Sequence, residues 1–261
     1  VRTAPLRARR QGSGLAPCRW GVEDSLAEDE LRNLKDYVDG GGNIFVAQSR
    51  VSADLQAQVG RPVDSNFLTF LDTIGVKLKE NLVVDNECSA VTVTQSAGLF
   101  RFNTQMRYPF FPLVQKFGDH LTVNGLEQVR LLYTSEIEVN GDDGPESTET
   151  SSVPLLYTSN QSGAVTGFYN LSPVDNPFLK TLNQPRKVVG VLHRVQAESA
   201  GPVSQAIVVG DSKFLTDAGG GSFAENFVFI ANAVDFLMGD RELVSLRSRE
   251  ITTRPLRSTR T

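Results

Sequence analysis

Asp211 and Ser212 are the residues of this chain best placed by type and spacing to do chemistry. They follow the apolar run Gln205-Ala-Ile-Val-Val-Gly210, and Asn226 to Leu237 further on reads as an apolar helix. Buried strand, polar turn and helix form the repeating unit of an open α/β sheet, where ligands sit beyond the carboxyl ends of strands. A carboxylate and a hydroxyl at such a mouth can orient a ligand, or act as base and nucleophile once a histidine completes them. The same aspartate can instead cap its own turn by accepting backbone N–H groups. The capping role is the commoner one, so Asp211 and Ser212 stand as ligand-binding or turn-capping candidates.

His193, at the end of the strand-like run Lys187-Val-Val-Gly-Val-Leu-His193, would be the base of a hydrolase or amidotransferase-related site with Asp211 and Ser212. His120 lies near a turn. Cys18 has no His-x-Glu pair to activate its thiolate. The chain carries neither a G-x-S-x-G elbow nor a P-loop. Gly40-Gly41-Gly42 leads from a helix into a strand, the reverse of a dinucleotide fingerprint, and so reads as a helix cap. Gly219-Gly-Gly-Ser222 precedes a helix but lacks the strand and the lysine of a phosphate loop. Asp142, Asp143 and Glu146 lack the spacing of a calcium loop, and Cys18 and Cys88 lack that of a zinc site. Asn160-Gln-Ser162 and Asn170-Leu-Ser172 match a glycosylation sequon, which matters only on a eukaryotic secretory route. The sequence implies no cofactor and no metal. Tyr108, Phe110 and Phe111, in Tyr108-Pro-Phe-Phe-Pro, would serve a sugar- or peptide-binding domain if exposed, but as core residues they form an ordered extended crossing.

The elements that position these residues are legible in part. Ser25 and Glu28 form a capping box ahead of Leu26, Leu31, Leu34, Tyr37 and Val38, which recur at helical spacing up to the glycines. Asn43 to Ala47 is a short buried strand. Ser49 to Pro62 reads as a loop, and Asp64 caps a helix through Phe67, Leu68, Phe70, Leu71 and Ile74 that stops at Gly75. Leu82-Val-Val-Asp85 and Ala90 to Thr94 are β-prone, and Val129 to Val139 is strand-like throughout. Residues 140–152 contain no apolar side chain and read as a flexible acidic loop. The pentapeptide Leu-Leu-Tyr-Thr-Ser occurs at 131–135 and again at 155–159, too short to establish a repeat.

Charge is unevenly spread. Residues 1–19 hold five arginines and no acid, 241–261 hold six against two glutamates, and the body from 20 to 240 is left at about −13 of a net −4. An acidic body is a poor match for nucleic acid, whose binding rests on neutralising phosphates. The two basic ends read as solvated segments flanking one α/β domain over 20–240. Two cysteines are too few for a disulfide framework. No window approaches the roughly 18 apolar residues that cross a bilayer, and the N-terminus has no signal-peptide core, so the sequence reads as a soluble piece.

Several segments in order carry a family resemblance. They are the helix ending in Tyr37-Val-Asp-Gly-Gly-Gly, the pair Ile74-Gly and Leu82-Val-Val-Asp85, Tyr108-Pro-Phe-Phe-Pro, Leu132-Tyr-Thr-Ser and Ile207-Val-Val-Gly-Asp-Ser-Lys-Phe-Leu-Thr-Asp217. Asn232-Ala-Val-Asp-Phe-Leu-Met-Gly-Asp240 and Leu243-Val-Ser-Leu-Arg-Ser-Arg249 close the set. Over residues 22–255 the chain resembles the GldG-like extracytoplasmic auxiliary domains of ABC-type transport systems, including the gliding-motility one, with relatives in intraflagellar-transport proteins. The resemblance implies a Rossmann-like open sheet of glutamine-amidotransferase-like fold, with additional β-rich segments and without the catalytic residues. It further implies a non-enzymatic, membrane-associated periplasmic domain that contacts an ABC transporter permease or another envelope protein. Family members carry a membrane anchor before the domain and usually one after it. By that comparison the chain is an excised ectodomain, with 241–261 juxtamembrane and with upstream apolar strands missing from its first residues.

Overall fold

A strand with large apolar residues on both of its faces must be covered on both, and Ile44–Ala47 and Ser204–Val209 are such strands. The computed structural model describes residues 18–97, 100–138, 152–174, 176, 179, 182–195, 202–217 and 223–252. In chain order the elements begin with β1 (Cys18–Trp20), α1 (Glu28–Asp39), β2 (Ile44–Ala47), β3 (Val51–Asp54), β4 (Val59–Pro62), α2 (Asn66–Thr73), β5 (Lys77–Leu78) and β6 (Leu82–Asp85). They continue with β7 (Cys88–Ala97), β8 (Phe100–Val114), β9 (Lys116–Phe117), β10 (Val129–Arg130), β11 (Ile137–Glu138), β12 (Ser152–Tyr157) and β13 (Ser162–Val165). The last are β14 (Val188–Val195), β15 (Ser204–Val209), α3 (Ala224–Leu237) and α4 (Arg241–Thr252).

The main sheet has six strands in the order β1-β2-β15-β14-β12-β9. β1, β2 and β15 run parallel, and β1-α1-β2 is a single βαβ unit. From β15 outward the pairing turns antiparallel. The architecture is therefore mixed α/β, rich in strands. Side chains alternate across the parallel strands: Ile44, Val46, Ala206 and Val208 face α1 and α2, while Phe45, Ala47, Ile207 and Val209 face α3. On the first side Leu34 and Val38 of α1 meet Phe67, Phe70 and Leu71 of α2. On the second, Phe229 packs edge-on against Phe45 and Phe214. Each such fully buried phenylalanine contributes about 1.5–3 kcal/mol. A third core, formed by Tyr108, Phe110, Leu82, Val84, Tyr133 and Tyr169, underlies the smaller sheets.

The α1 end follows the expected chemistry. The Gly42 N–H donates to the Tyr37 carbonyl and the Gly41 N–H to that of Val38, with Gly41 at φ +90°, a Schellman cap. The α1 start does not. The helix begins at Glu28 without a side-chain cap, and the Ser25 hydroxyl instead accepts the Asn66 N–H at the head of α2. Asn66 in turn brackets Leu26, accepting its N–H and donating to its carbonyl, each at 2.8 Å. The residues read as a capping box thus tie two helices together.

Two other expectations are corrected. Ser49 to Pro62 contains the β3–β4 hairpin, in which Val51 pairs with Pro62 and Asp54 with Val59. The Asp54 carboxylate accepts the N–H groups of Gln56 and Ala57, closing a turn that its polar sequence concealed. Val129 to Val139 is a strand only at its two ends. Between them Tyr133 adopts φ +55°, and successive N–H groups reach different elements: Leu131 donates to Pro112, Tyr133 to Phe110 and Ser135 to Gly210. The acidic run at 139–151 and Gly219–Ser222 lie outside the described residues.

From Arg241 the chain is helical to Thr252 and rests on α3. Val244 is fully buried, and the Arg247 guanidinium binds Asp235 at 2.7 Å and Asn232 at 2.6 Å. Gly210 marks a tight backbone approach, since a Cβ there would lie 2.1 Å from the Ser135 carbonyl oxygen. Gly210→Ala should therefore destabilise the protein by at least about 3 kcal/mol, read as a drop in the urea midpoint at unchanged slope.

Candidate functional site

The carboxyl ends of β1, β2 and β15 meet in one place, the mouth where an open α/β sheet binds ligands. Gly21, Gln48 and Gly210 leave the three strands there. Backbone bonds run Gly21 N–H to Ala47 C=O and Gln48 N–H to Val209 C=O. Into this mouth fold Gln48, Ser49 and Asp211, which are 0%, 1% and 0% exposed.

These groups bond to neighbouring backbone and side chains. The Gln48 amide accepts the Val22 N–H at 2.8 Å and donates to the carbonyls of Val22 and Ser49. The Ser49 hydroxyl lies 3.0 Å from that of Ser212 and 3.0 Å from the Val51 carbonyl. One Asp211 carboxylate oxygen accepts the Lys213 N–H at 2.7 Å, closing the turn over its own strand. The other accepts the Leu132 N–H at 2.7 Å, reaching 79 residues back to the loop between β10 and β11. The Ser135 N–H donates to the Gly210 carbonyl beside it, and the Ser135 hydroxyl accepts the Arg50 N–H and donates to the Asn81 carbonyl.

Burial pushes the Asp211 carboxyl up to about 7, against the two backbone N–H groups and the more distant charges of Lys213 and Arg130, which favour its ionised form. The desolvation dominates because the side chain is wholly enclosed. The carboxylate is enclosed between its own turn and the Leu132 loop. Ser212 is half-buried, and its hydroxyl faces Ser49.

His193 does not join them. It pairs across the sheet with Ala206, five residues before Asp211 along β15, which is about 16 Å at the rise of a strand. Its Nδ1 lies 2.7 Å from the Ser152 hydroxyl. Burial lowers its pKa, opposed by a backbone hydrogen bond at Ile74, at the end of α2. His193 is thus a buried link between β14, β12 and α2. His120 is held by Thr122 and lies edge-on to Phe236. Tyr108, Phe110 and Phe111 form a ring cluster with Tyr133, in which Tyr108 and Phe110 are buried and Phe111 packs against the same core. The Tyr108 hydroxyl donates to the Leu171 carbonyl. Cys18 and Cys88 are both thiols, half-buried, with burial raising their pKa values. Two open surface grooves lie elsewhere. One is lined by Glu23, Ser52, Asp54 and Arg61 among others, and the other by Cys88, Arg107 and Asn176 among others.

Sequence reasoning missed Asp85 as the second aspartate of this kind. At the end of β6 it is 0% exposed and accepts the Ser159 N–H and hydroxyl, both at 2.6 Å, and the Glu87 N–H. The shared pattern was visible: an apolar strand closed by aspartate, Leu82-Val-Val-Asp85, like Ile207-Val-Val-Gly-Asp211. Gln48 and Ser49 carried no signal beyond following a buried strand.

What the fold and the mouth define is a mixed α/β domain whose strand-end polar groups bind the protein itself. Residues 20–239 match the family described as an ABC-type uncharacterized transport system, and the chain belongs to that family. An uncharacterized protein of Borreliella burgdorferi is 23% identical over 239 residues, covering 87% of this chain. The alignment takes in 45% of that relative, so the chain spans less than half of its length. Among solved structures, an mmIFT52 N-terminal domain aligns over 83% of this chain and 73% of its own, with 16% identity and a TM-score of 0.46.

Removing the Asp211 carboxylate leaves two donors without an acceptor, so Asp211→Ala should lower stability by about 2–4 kcal/mol in urea titration. The pH dependence has a definite sign. The Asp211 carboxyl titrates higher in the folded than in the unfolded chain, so its contribution is full below pH 3.8 and is lost as pH rises through about 7. Between those limits the melting temperature of the wild type should fall relative to that of Asp211→Asn, measured by calorimetry in matched buffers.

Proposed function

We propose that this chain is a non-enzymatic domain of a membrane-associated ABC transport accessory protein. It acts on the extracytoplasmic side of the cell membrane by protein–protein contact or assembly, with the transporter permease or another envelope protein as partner. Family membership over residues 20–239 supports the transport association. The observation that carries the non-enzymatic part is the state of Asp211, whose carboxylate is enclosed and accepts two backbone N–H groups. A catalytic or ligand-orienting carboxylate has to present a lone pair to a reacting group or ligand. The βαβ unit and the three parallel strands favour a Rossmann-like ancestry of glutamine-amidotransferase type, with the mouth turned over to structure.

No helix among the described residues is long and apolar enough to cross a membrane. Photo-crosslinking from surface positions of the full-length protein in cells should yield adducts with a multi-span permease or another envelope protein. Crosslinking should persist in Asp211→Asn once corrected for the folded fraction. A hydrolytic or transfer activity abolished by Asp211→Asn in a protein of unchanged melting temperature would overturn the proposal.

A further inference from the structure

Strands β7 and β8 form a long hairpin arm. β10 flanks β8 only at Leu113 and Val114. From Ala90 to Ala97 and from Phe100 to Arg107 the two strands pair with each other and with no third strand among the described residues. A two-stranded hairpin is at best marginally stable in water and gains stability when one face is covered.

Directly opposed residues of an antiparallel pair share a face, so the register divides the arm in two. Val91 stands opposite Met106, Val93 opposite Thr104, and Gln95 opposite Phe102. Val91 packs against the third core, and Val93, Met106 and Phe102 carry the same face on along the arm, with Phe102 46% exposed. The other face is polar and exposed. There Thr92 opposes Gln105 and Thr94 opposes Asn103, with Arg101 and Arg107 to either side.

Charge selects the partner. No acidic residue lies between Glu87 and Asp119 in a chain that has 30 of them, and the only charges from Ala90 to Arg107 are Arg101 and Arg107. The body from 20 to 240 stands at about −13, so an anionic surface repels it, whereas the arm brings two guanidinium groups and no carboxylate. The other groups of its polar face are neutral hydroxyls and amides. Arginines on the polar face of an amphipathic element reach headgroup phosphates while its apolar side chains enter the acyl boundary. Four apolar side chains are few beside the roughly 20–30 residues that a stable protein interface takes from each side. Shallow insertion needs less area, because attraction to anionic lipid adds to it.

We infer that the β7–β8 arm is a lipid-contact element. It lays the face of Val91, Val93, Phe102 and Met106 on an anionic bilayer surface, with Arg101 and Arg107 at the level of the headgroup phosphates. Arg107 also donates to the Asn86 carbonyl at the base of the arm, so Arg101, nearer the tip, is the arginine to test. The inference goes beyond the transport role above and can fail separately from it, since vesicle binding involves no permease.

Co-sedimentation of the whole chain with vesicles of equal parts phosphatidylglycerol and phosphatidylcholine tests it. Binding is expected, with little to phosphatidylcholine alone. Phe102→Ser should weaken it by at least roughly ten-fold, as loss of a buried aromatic does. Arg101→Gln should weaken it by about five-fold, the contribution of one arginine near an anionic leaflet. Both variants should keep the circular dichroism of the wild type. In a Cys18→Ser/Cys88→Ser background, an environment-sensitive dye on Met106→Cys should shift to the blue when vesicles are added. The same dye on Gln105→Cys, the adjacent position on the polar face, should shift little. Absence of binding would overturn the inference, as would equal binding to phosphatidylcholine alone or equal shifts of the two dyes. So would binding indifferent to both Phe102→Ser and Arg101→Gln, the result expected if the arginine-rich segments 1–19 and 241–261 held the vesicle by charge.

Discussion

The rest of the structure depends on the burial of the Asp211 carboxylate. A carboxylate removed from water needs donors close at hand, and here they are backbone N–H groups from its own turn and from Leu132. That requirement brings the 131–135 loop down onto the end of β15. Gly210 allows it, because any side chain there would strike the Ser135 carbonyl. The loop in turn bonds to β8 through Leu131 and Tyr133, and the Val83 N–H of β6 donates to the Thr134 carbonyl. One enclosed carboxyl group thereby fastens the parallel half of the main sheet to the aromatic core of the β-rich region.

The chain repeats the device. Asp85 ends β6 as Asp211 follows β15, and each receives one of the two Leu-Leu-Tyr-Thr-Ser segments, through Ser159 in one case and Leu132 in the other. The threonines of both copies are fully buried, with the hydroxyl bonded to the carbonyl of the next residue. The backbones differ. Leu155 to Tyr157 lies within β12, whereas Tyr133 turns to positive φ so that its N–H meets Phe110 and its ring joins Tyr108 and Phe111. Identical pentapeptides take different paths because different strands supply the partners for their N–H groups.

Asparagine does similar work between helices and strands. Asn66 brackets the backbone of Leu26, and Asn226 brackets that of Arg130, accepting its N–H and donating to its carbonyl. Asn43 joins Gln205 to the Leu237 carbonyl at the end of α3. Polar groups that could have been set aside for a ligand are spent on backbone at the joints between elements.

Elements whose stabilising contacts are local or periodic are legible in the sequence. Among these are α1 with its glycine cap, the double-faced strands β2 and β15, the apolar α3, and the strand-then-aspartate signature at 207–211. Family membership was legible for the same reason, since it rests on the order of such segments. The long-range partners of the polar side chains lie up to 194 positions away, and the fold alone selects them. Ser25 serves α2 rather than α1, His193 binds Ser152 rather than the Asp211 mouth, and Asp211 itself holds Leu132. The β3–β4 hairpin and the break in the run from Val129 to Val139 were hidden likewise. Their residues carry no periodic apolar pattern, and their conformation follows from where the backbone finds partners. A buried carboxylate looks the same in sequence whether it faces a ligand or an amide, and the fold alone brought the amide.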